Sequence, residues 1–476
     1  MAQVLTAEEA AFAALGESAD DPRGSTLMQR AAAGLAAVVG RELRLVAGGH
    51  YGASVLVLAG SGNNGGDALH AAARLARRGV GVRLRRTGSG VHAGGWQAAL
   101  DAGAREVDAD EAMALIDRGR VDLVIDGILG IGGRPGLSGE PAELARACRR
   151  CGVTVVAADL PSGLDADRPG VADDAFRATV TVTFGARKPC HVSEPAASAC
   201  GRVELVDIGL EVDALAECWG PDEVAAVWPV PGPTSDKYAR GVVGLDTGSR
   251  HYTGAAVLGA AGAVHAGAGM VRFTGADRAA DEVIARFPNV VRANGRVQAL
   301  VLGSGWGERV DAAETVAGAV ASGLGVVLDA DALSHLPTGP LGARVLLTPH
   351  AGELARMLRL DRTEVEADPV AAVREAVRRT GATVLLKGAT QYVAVPERDR
   401  IGIAVPGPAW TGQAGSGDVL AGICGALLAA GLDPYDAALA GASVQALAAA
   451  ERPGPHPPQE IAARVPAVVH ALVADS

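Results

Sequence analysis

The feature that most constrains the fold is an apolar run that leads directly into a glycine-rich loop and then into an Ala- and Leu-rich stretch. The run at 55–59 is typical of a buried strand, the loop occupies 60–67, and 68–78 is predicted to be helical up to Gly79. A strand, a glycine loop and a helix in this order offer backbone N–H groups and a helix N-terminus to an anion. The glycine spacing also satisfies a dinucleotide-binding fingerprint. That fingerprint does not require the paired amides Asn63 and Asn64 or the carboxylate of Asp67, which indicate contact with a metal, contact with a ribose hydroxyl, or catalysis.

Strand–helix alternation continues along both halves of the chain. A length of 476 residues predicts two or more domains, and a 3% aromatic content means cores built mainly from Ala, Val and Leu. Apolar strands separated by helices indicate α/β domains with parallel sheets covered on both faces. The predicted strands are 54–59, 80–85, 121–126, 153–158, 179–184 and 202–206 in the first half, and 242–246, 271–274, 299–302, 326–329, 345–348, 383–387 and 392–395 in the second.

The alternation breaks down around a cluster of prolines, Pro221, Pro229, Pro231 and Pro233. Proline clusters of this kind are typical of domain boundaries. We therefore predict a first domain over 1–212, a proline-rich linker over 213–235 and a second domain over 236–476.

Composition excludes several classes of protein. The net charge of −11 disfavours a nucleic-acid partner. Residues 1–9 lack the basic region and apolar core of a signal peptide, so a cytoplasmic protein is expected. The uncharged stretch 252–271 is rich in Ala and Gly and contains His265, which indicates a buried helix rather than a membrane span. Of six cysteines only Cys148 and Cys151 form a CxxC pair, so neither a zinc site nor a disulfide framework is predicted.

Two further loops in the first half follow predicted strands. Asp126 precedes the glycine-rich segment 127–136, and Asp159 precedes a loop that contains Ser162. Ligands bind at the carboxyl ends of parallel strands, so these side chains and the paired amides are expected around one crevice. Amide, carboxylate and hydroxyl oxygens suit an alkali or alkaline-earth cation, and a remaining carboxylate could act as a base.

Simpler interpretations of the first half remain open. A single Asp at a strand end is most often a helix cap or a turn former. A plain dinucleotide-dependent dehydrogenase is another candidate, because Arg83, Arg85 and Arg86 stand where an arginine could accept a 2′-phosphate. A non-catalytic dinucleotide-binding module is a third.

In the second half a Gly-Ser-Gly-Asp turn at 415–418 opens an apolar helix. The N–H groups of such a turn can hold a developing negative charge, and Asp418 is placed to deprotonate a hydroxyl. Lys387 ends a predicted strand and could reach a nucleotide, whereas His350 and Glu353 also fit structural roles at a helix start. This turn is equally compatible with a kinase acting on a small alcohol, with the first half as a regulatory domain.

The motifs of both halves resemble one known family across nearly the whole chain. GSGNNGGD, DGILGIGG and DLPSGLD are similar to the NAD(P)HX epimerase domain, called YjeF-N. KYARGVVG, YTGAAVLGAAGAVHAGAG, VLGSGWG, LDADAL, TPHAGE, LLKGAT and AGSGDVLAG resemble the ribokinase-like NAD(P)HX dehydratase domain. The domain order is that of bifunctional bacterial NAD(P)H-hydrate repair enzymes, which implies a Rossmann-like three-layer α/β/α domain followed by a ribokinase-like α/β domain.

The resemblance implies the repair of NADH and NADPH that have been hydrated at C6 of the nicotinamide ring. The epimerase domain would interconvert the R and S epimers, with K⁺ in its site. The dehydratase domain would restore NAD(P)H from the S epimer, coupled to cleavage of ADP, bound with Mg²⁺, into AMP and phosphate. A homo-oligomer is also implied.

The same resemblance assigns the residues of the epimerase domain. Asp159 would contact substrate and serve as the base. The other residues expected to hold the hydrated dinucleotide are Asn63, Asn64, Gly65, Gly66, Asp67, Gly130, Ile131, Gly132, Gly133, Arg134, Pro135 and Gly136. The K⁺ ligands would be Asn64, Asp126 and Ser162.

In the dehydratase domain Asp418 would be the base, in contact with substrate alongside Ala255, Gly305 and His350. The chain departs from the family pattern at Ala68, Gln391 and Gln413, where Gly, Thr and Thr are usual. Residues 408–417 would contribute to the nucleotide site, and the individual residues assigned to it are Lys387, Gly388, Ala389, Thr390, Gln391, Gln413, Ala414, Gly415, Ser416 and Gly417.

Overall fold

The computed structural model describes residues 2–15, 25–88 and 90–474. The chain divides into two compact units, Met1–Asp213 and Ala214–Ser476, each with its own sheet.

The described part of the first unit contains a seven-stranded sheet in the order β3-β2-β1-β4-β5-β6-β7, and all neighbouring strands run parallel. The order reverses between β1 and β4, so the loops after these two strands open the crevice where such sheets bind ligands. The strands are β1 Ser54–Ala59, β2 Gly81–Arg86, β3 Arg105–Glu106, β4 Leu123–Gly127, β5 Thr154–Ala158, β6 Val180–Phe184 and β7 Arg202–Val206.

Helices cover both faces of this sheet. On β1, Val55 and Val57 pack into one apolar cluster while Leu56 and Leu58 pack into another, which explains why the strand reads as a continuous apolar run. The helices are α1 Ala2–Leu15, α2 Thr26–Val46, α3 Asn63–Ala76, α4 Ala93–Asp101, α5 Ala109–Asp117, α6 Gly139–Cys151 and α7 Ala196–Cys200.

The described part of the second unit contains a nine-stranded sheet in the order β10-β9-β11-β12-β13-β14-β15-β16-β8. It is parallel except around β15, which runs antiparallel to both of its neighbours. The strands are β8 Ala216–Cys218, β9 Val242–Asp246, β10 Met270–Phe273, β11 Ala299–Leu302, β12 Gly325–Leu328, β13 Val345–Leu347, β14 Thr383–Leu386, β15 Tyr392–Ala394 and β16 Ile401–Ile403.

The helices of the second unit are α8 Pro221–Val227, α9 Thr253–His265, α10 Asp277–Arg286, α11 Ala312–Ala321, α12 Ala351–Leu358, α13 Arg362–Ala367, α14 Pro369–Thr380, α15 Ser416–Ala429, α16 Pro434–Ala450 and α17 Pro458–Ala474. Short 3₁₀ turns occupy Pro189–His191 in the first unit and Ala330–His335 and Ala409–Thr411 in the second.

Helices α9 and α15 pack backbone against backbone through glycines. A Cβ on Gly262 would lie 2.1 Å from the carbonyl oxygen of Val419, and one on Gly422 would lie 2.0 Å from that of Gly259. This close approach explains the Ala- and Gly-rich composition of 252–271, which forms the buried helix α9 and then runs into β10. Within the described residues, no helix is both long and apolar enough to cross a membrane.

The segment expected to be a linker, 213–235, contains regular structure. Strand β8 pairs in parallel with β16, and in α8 the side chain of Val224 is fully buried in the core of the second unit with Trp219 and Trp228. Pro221 does not interrupt this structure, because it begins α8, where its missing N–H has no intrahelical partner to lose. Strands 54–59, 202–206, 242–246 and 299–302 are confirmed residue for residue, and the other predicted strands shift at one or both ends by one or two residues.

Candidate functional sites

Two glycines allow the loops after β1 and β4 to approach each other closely. A Cβ on Gly60 would lie 1.9 Å from the carbonyl oxygen of Ile128, and one on Gly65 would lie 2.2 Å from the carbonyl oxygen of Gly60. The N–H of Gly60 donates to the carbonyl of Gly127 over 3.1 Å. Helix α3 therefore begins, at Asn63, directly against the switch point of the sheet.

A cleft of about 420 Å³ opens at this point of the first unit. Leu5, Glu8 and Phe12 of α1 contribute to its lining as well as the strand-end loops. Of the residues assigned to the hydrated dinucleotide, those that line the cleft are Asn63, Asn64, Asp67, Gly130, Ile131, Gly132, Gly133 and Asp159. The remaining ones are not part of that lining: Gly65 and Gly66 lie in the first turn of α3, and Arg134, Pro135 and Gly136 lie in the loop after β4.

Asp159 forms a buried ion pair in the cleft. Lys188 Nζ donates to Asp159 Oδ1 over 2.5 Å, and Thr183 Oγ1 donates to the same oxygen over 3.0 Å. Lys188 is 2% exposed and also donates to Thr183 Oγ1 and to the carbonyl of Phe184, so its three ammonium protons are all used. Asp159 has a φ of 62°, a conformation rarely adopted outside glycine, which is typical of residues held in place by a functional site.

The 3₁₀ turn after Lys188 fixes the position of this lysine. The backbone N–H of Lys188 donates to His191 Nδ1 over 3.0 Å. Cys190, His191 and Cys200 are buried, and their potential ligand atoms lie within 4.8 Å of one another, a cluster that the cysteine spacing does not reveal. Cys190 and Cys200 are free thiols, and the hydrogen bond with Cys200, followed by burial, raises the pKa of Cys190.

Two other carboxyl groups face the same cleft. Burial raises the pKa of Asp67 well above its usual value, and the charges of Asp159 and Glu8 raise it further against the opposing effect of Lys188. Burial, followed by the charge of Asp159, also raises the pKa of Glu8. Among the described residues that line the cleft, acidic groups therefore outnumber the basic ones.

The residues assigned to a cation are gathered beneath the glycine loops. Asp126 is fully buried, and its carboxylate accepts hydrogen bonds from Ser162 Oγ over 2.6 Å and from Ser162 N over 2.8 Å. Asn64 Nδ2 donates to the carbonyl of Leu129 over 3.0 Å, whereas the buried Asn64 Oδ1 has no hydrogen-bond partner within the described residues. Burial raises the pKa of Asp126 to about 6, partly offset by the bonds from Ser162. An unsatisfied amide oxygen beside a carboxylate and a hydroxyl fits a hard cation.

In the second unit a buried carboxylate organises the site. Asp329, which follows β12, accepts hydrogen bonds from Ser304 Oγ over 2.9 Å, from Thr348 Oγ1 over 2.8 Å and from Lys387 Nζ over 2.5 Å. It is 1% exposed, so these donors compensate a charge that has little access to water. The sequence did not single out Asp329, although it lies in the LDADAL motif.

Asp418 lies in the first turn of α15, close to this network. Burial raises the pKa of Asp418 to about 6, and the charge of Asp329 adds to the effect while Lys387 and Ser304 oppose it. Burial would lower the pKa of Lys387, but Asp329, Glu353 and Asp418 together raise it above its usual value. A carboxyl group that titrates near neutrality suits a general base.

The Gly-Ser-Gly-Asp turn lies against Lys387. Gly415 has a φ of 91°, and a Cβ on Gly417 would lie 3.1 Å from Lys387 Nζ. Ser416 Oγ is buried and has no hydrogen-bond partner within the described part of the chain, while Gln413 Nε2 donates to the carbonyl of His456 over 2.6 Å. The turn at 415–418 and Lys387 thus lie together, whereas the side-chain amide of Gln413 is hydrogen-bonded to the backbone of His456.

Of the other residues assigned to the dehydratase substrate, Ala255 lies in the first turn of α9, while Gly305 follows β11 and His350 follows β13. Gly305, with a φ of 69°, lies so close to Ala255 that a Cβ on it would stand 2.6 Å from the Ala255 Cβ. His350 caps α12 through Nδ1, which accepts from Gly352 N over 3.0 Å, and its backbone forms a parallel bridge with Lys387. The remaining members of the assigned nucleotide segment, Gly388, Ala389, Thr390 and Gln391, connect β14 to β15.

Comparison with known proteins matches each unit separately. Residues 24–190 match the family described as YjeF-related protein N-terminus, and residues 243–463 match the family described as NAD(P)H-hydrate dehydratase. A solved ADP/ATP-dependent NAD(P)H-hydrate dehydratase from Bacillus subtilis, co-crystallised with ATP/Mg²⁺, superposes with a TM-score of 0.50 over 54% of this chain and 99% of its own at 23% identity. A ribokinase-like protein from Enterococcus faecalis gives the same TM-score at 19% identity, over 55% of this chain and 98% of its own.

The fold and the two sites thus define a two-domain α/β enzyme that joins a YjeF-N unit to a ribokinase-like unit. The chain is 42% identical over 426 residues to the bifunctional NAD(P)H-hydrate repair enzyme Nnr of Mycobacterium tuberculosis. This alignment covers 87% of this chain and 86% of that protein. It is 46% identical over 202 residues to the NAD(P)H-hydrate epimerase of Clavibacter sepedonicus, covering 40% of this chain and 84% of that protein. The chain belongs to the family of bifunctional NAD(P)H-hydrate repair enzymes, which combine an isomerase with a lyase.

Proposed function

We propose that the cleft of the first unit epimerises R and S NAD(P)HX with Asp159 as the base, and that the site around Asp418 dehydrates the S epimer at the expense of ADP. The observation that carries the proposal is the placement of one buried, cation-balanced carboxylate in each unit, each beside a glycine-rich anion-binding turn. In the first unit that carboxylate is Asp159 with Lys188, and in the second it is Asp329 with Lys387, next to Asp418.

In the epimerase site the glycine loops would hold the pyrophosphate through backbone N–H groups, as helix N-termini and glycine turns do in other dinucleotide sites. Asp159 would then face the C6 hydroxyl of the ring and accept its proton. The ion pair with Lys188 and the hydrogen bond from Thr183 fix the orientation of this carboxylate.

We further propose that Asn64, Asp126 and Ser162 hold K⁺. Asn64 Oδ1 supports this assignment because a buried amide oxygen without a partner is costly unless a ligand satisfies it. The cation would supply positive charge near the bound phosphates and fix the loop after β4. The residues themselves join that loop to the one after β5, since Ser162 Oγ also accepts from Leu129 N over 2.9 Å.

In the dehydratase site Asp418 would accept the proton of the substrate hydroxyl, whose oxygen then attacks the terminal phosphoryl group of ADP and releases AMP. The phosphorylated oxygen leaves as phosphate while a proton is lost from C5, which regenerates the NAD(P)H double bond. Lys387 and the turn at 415–418 would balance the phosphate charge, and Mg²⁺ would enter with the nucleotide.

The test is the recovery of NADH from an epimeric NADHX mixture with Mg²⁺ and K⁺, using ADP, ATP or no nucleotide. Complete recovery with ADP, faster than uncatalysed epimerisation, is expected. Rapid recovery that stops at the S fraction would contradict the epimerase assignment. Recovery with ATP alone would contradict the ADP assignment, and a phosphorylated product that accumulates without NADH would indicate a kinase.

A further inference from the structure

The described residues that line the epimerase cleft include three carboxyl groups and one ammonium group. Asp67 comes from α3, Asp159 from the loop after β5, Glu8 from α1 and Lys188 from the segment after β6. Lys188 is bonded directly to Asp159 and has no proton left for another acceptor. One carboxylate is therefore balanced, and no ion pair within the described residues balances Asp67 or Glu8.

Asp67 is the more deeply placed of these two. It is 8% exposed, and its carboxyl group has neither a hydrogen bond nor an ion pair within the described residues, although it borders the cleft. Burial and the nearby charges of Asp159 and Glu8 favour its neutral form, and Lys188 is the opposing charge. Asp67, whose surroundings favour the neutral form, therefore lines the same cleft as the carboxylate of Asp159 that is paired with Lys188.

Inversion at C6 of the hydrated ring needs both kinds of group. The hydroxyl-bearing carbon is bonded to N1, so the C6–N1 bond can open when the hydroxyl loses its proton. The electron pair of that bond moves to N1, which must then take up a proton, while C6 becomes a carbonyl carbon. Rotation about the C5–C6 bond and the reverse steps close the ring with the opposite configuration.

We propose that Asp67 is the catalytic proton donor of this reaction, acting on N1 while Asp159 accepts the hydroxyl proton. The inference rests on the proposed epimerase function. In the forward step Asp67 becomes a carboxylate and Asp159 a carboxylic acid, and in ring closure each recovers its original state. Atoms and electrons balance without an oxidant or other co-reactant. This pairing of an acid and a base with opposite protonation states follows the logic by which enzymes assign the two roles.

The test uses the full-length protein with R-NADHX, following formation of the S epimer as a function of pH. Asp67→Asn keeps the shape of the side chain but removes its acidic proton, so kcat for epimerisation should fall at least about 100-fold with little change in KM. Glu8→Gln should shift the high-pH limb of the kcat profile to lower pH, because it removes a charge that favours protonated Asp67. Glu9→Gln, the neighbouring exposed residue on α1, should leave the profile unchanged.

Dehydration of purified S-NADHX in the same molecules checks the other unit, and thermal unfolding compared with the wild type checks that the first unit is folded. If Asp67→Asn retains kcat, or changes KM alone, Asp67 is a binding residue and the proposal is overturned. An unmoved profile in Glu8→Gln would overturn the electrostatic coupling that the proposal requires. A wild-type protein without any epimerase activity would instead overturn the proposed function, and the proton donor with it.

Discussion

Lys188 lies 29 residues after Asp159 in the chain, yet its ammonium group bonds the carboxylate over 2.5 Å with both side chains buried. The adjacent parallel strands β5 and β6 bring the two segments to the same edge of the sheet. The ion pair between Lys188 and Asp159 therefore holds the proposed base, Asp159, in a buried position of the first unit.

Replacing Lys188 by Met is expected to lower the free energy of unfolding by about 3–5 kcal/mol, because a buried carboxylate loses its cation. Denaturant titration checks this, with Arg187→Met, an exposed neighbour, as the control. Adding Asp159→Asn to Lys188→Met should recover part of the stability without restoring epimerisation. A single variant as stable as the wild type would mean that the ion pair is not buried in solution.

The rate of dehydration should depend on pH through Asp418. Its pKa of about 6 means that the ionised base is lost as the pH falls through that value, so kcat should decline below it. Lys387 lowers this pKa, and Lys387→Gln should therefore move the low-pH limb to higher pH as well as weaken nucleotide binding. Initial rates on S-NADHX between pH 5 and 8 measure both effects, and an unmoved limb would contradict the assigned coupling.

Epimerisation should depend on K⁺ bound at the site proposed in the first unit. Dehydration in the second unit should not require that site. Dialysis into tetramethylammonium should reduce the epimerisation rate, and added K⁺ should restore it. Ser162→Ala removes one proposed ligand and should raise the K⁺ concentration needed for half-maximal rate. Equal rates in both salts would exclude a functional cation at Asn64, Asp126 and Ser162.

The contact between α9 and α15 should tolerate no added methyl group. Gly262→Ala would place a Cβ 2.1 Å from a backbone oxygen, and overpacking of this kind costs about 1–3 kcal/mol. Gly318→Ala in α11, where nothing lies within 4 Å, should be neutral or stabilising by up to about 1 kcal/mol. Thermal unfolding of the two variants gives the comparison, and similar midpoints would show that the helices separate readily.

The sequence predicts the strands and their loops well because each is a local pattern: an apolar run, then glycines, then a helix. It predicts Asp126, Asp159 and Ser162 at one crevice because parallel topology brings strand ends together. It does not predict Lys188, Glu8 or Asp329, since their roles depend on contacts between distant segments and their local motifs resemble ordinary loops and helices. Strand β8 was missed for the same reason, because it exists only through pairing with β16.

Helix α1 supplies Leu5, Glu8 and Phe12 to the epimerase cleft, so this helix forms part of the wall of the site. Proteins trimmed at the amino end, or purified through a tag fused ahead of α1, would lack or disturb that wall while the second unit kept its activity. Such a preparation would resemble a dehydratase with an inert partner domain, and a carboxyl-terminal tag avoids the error.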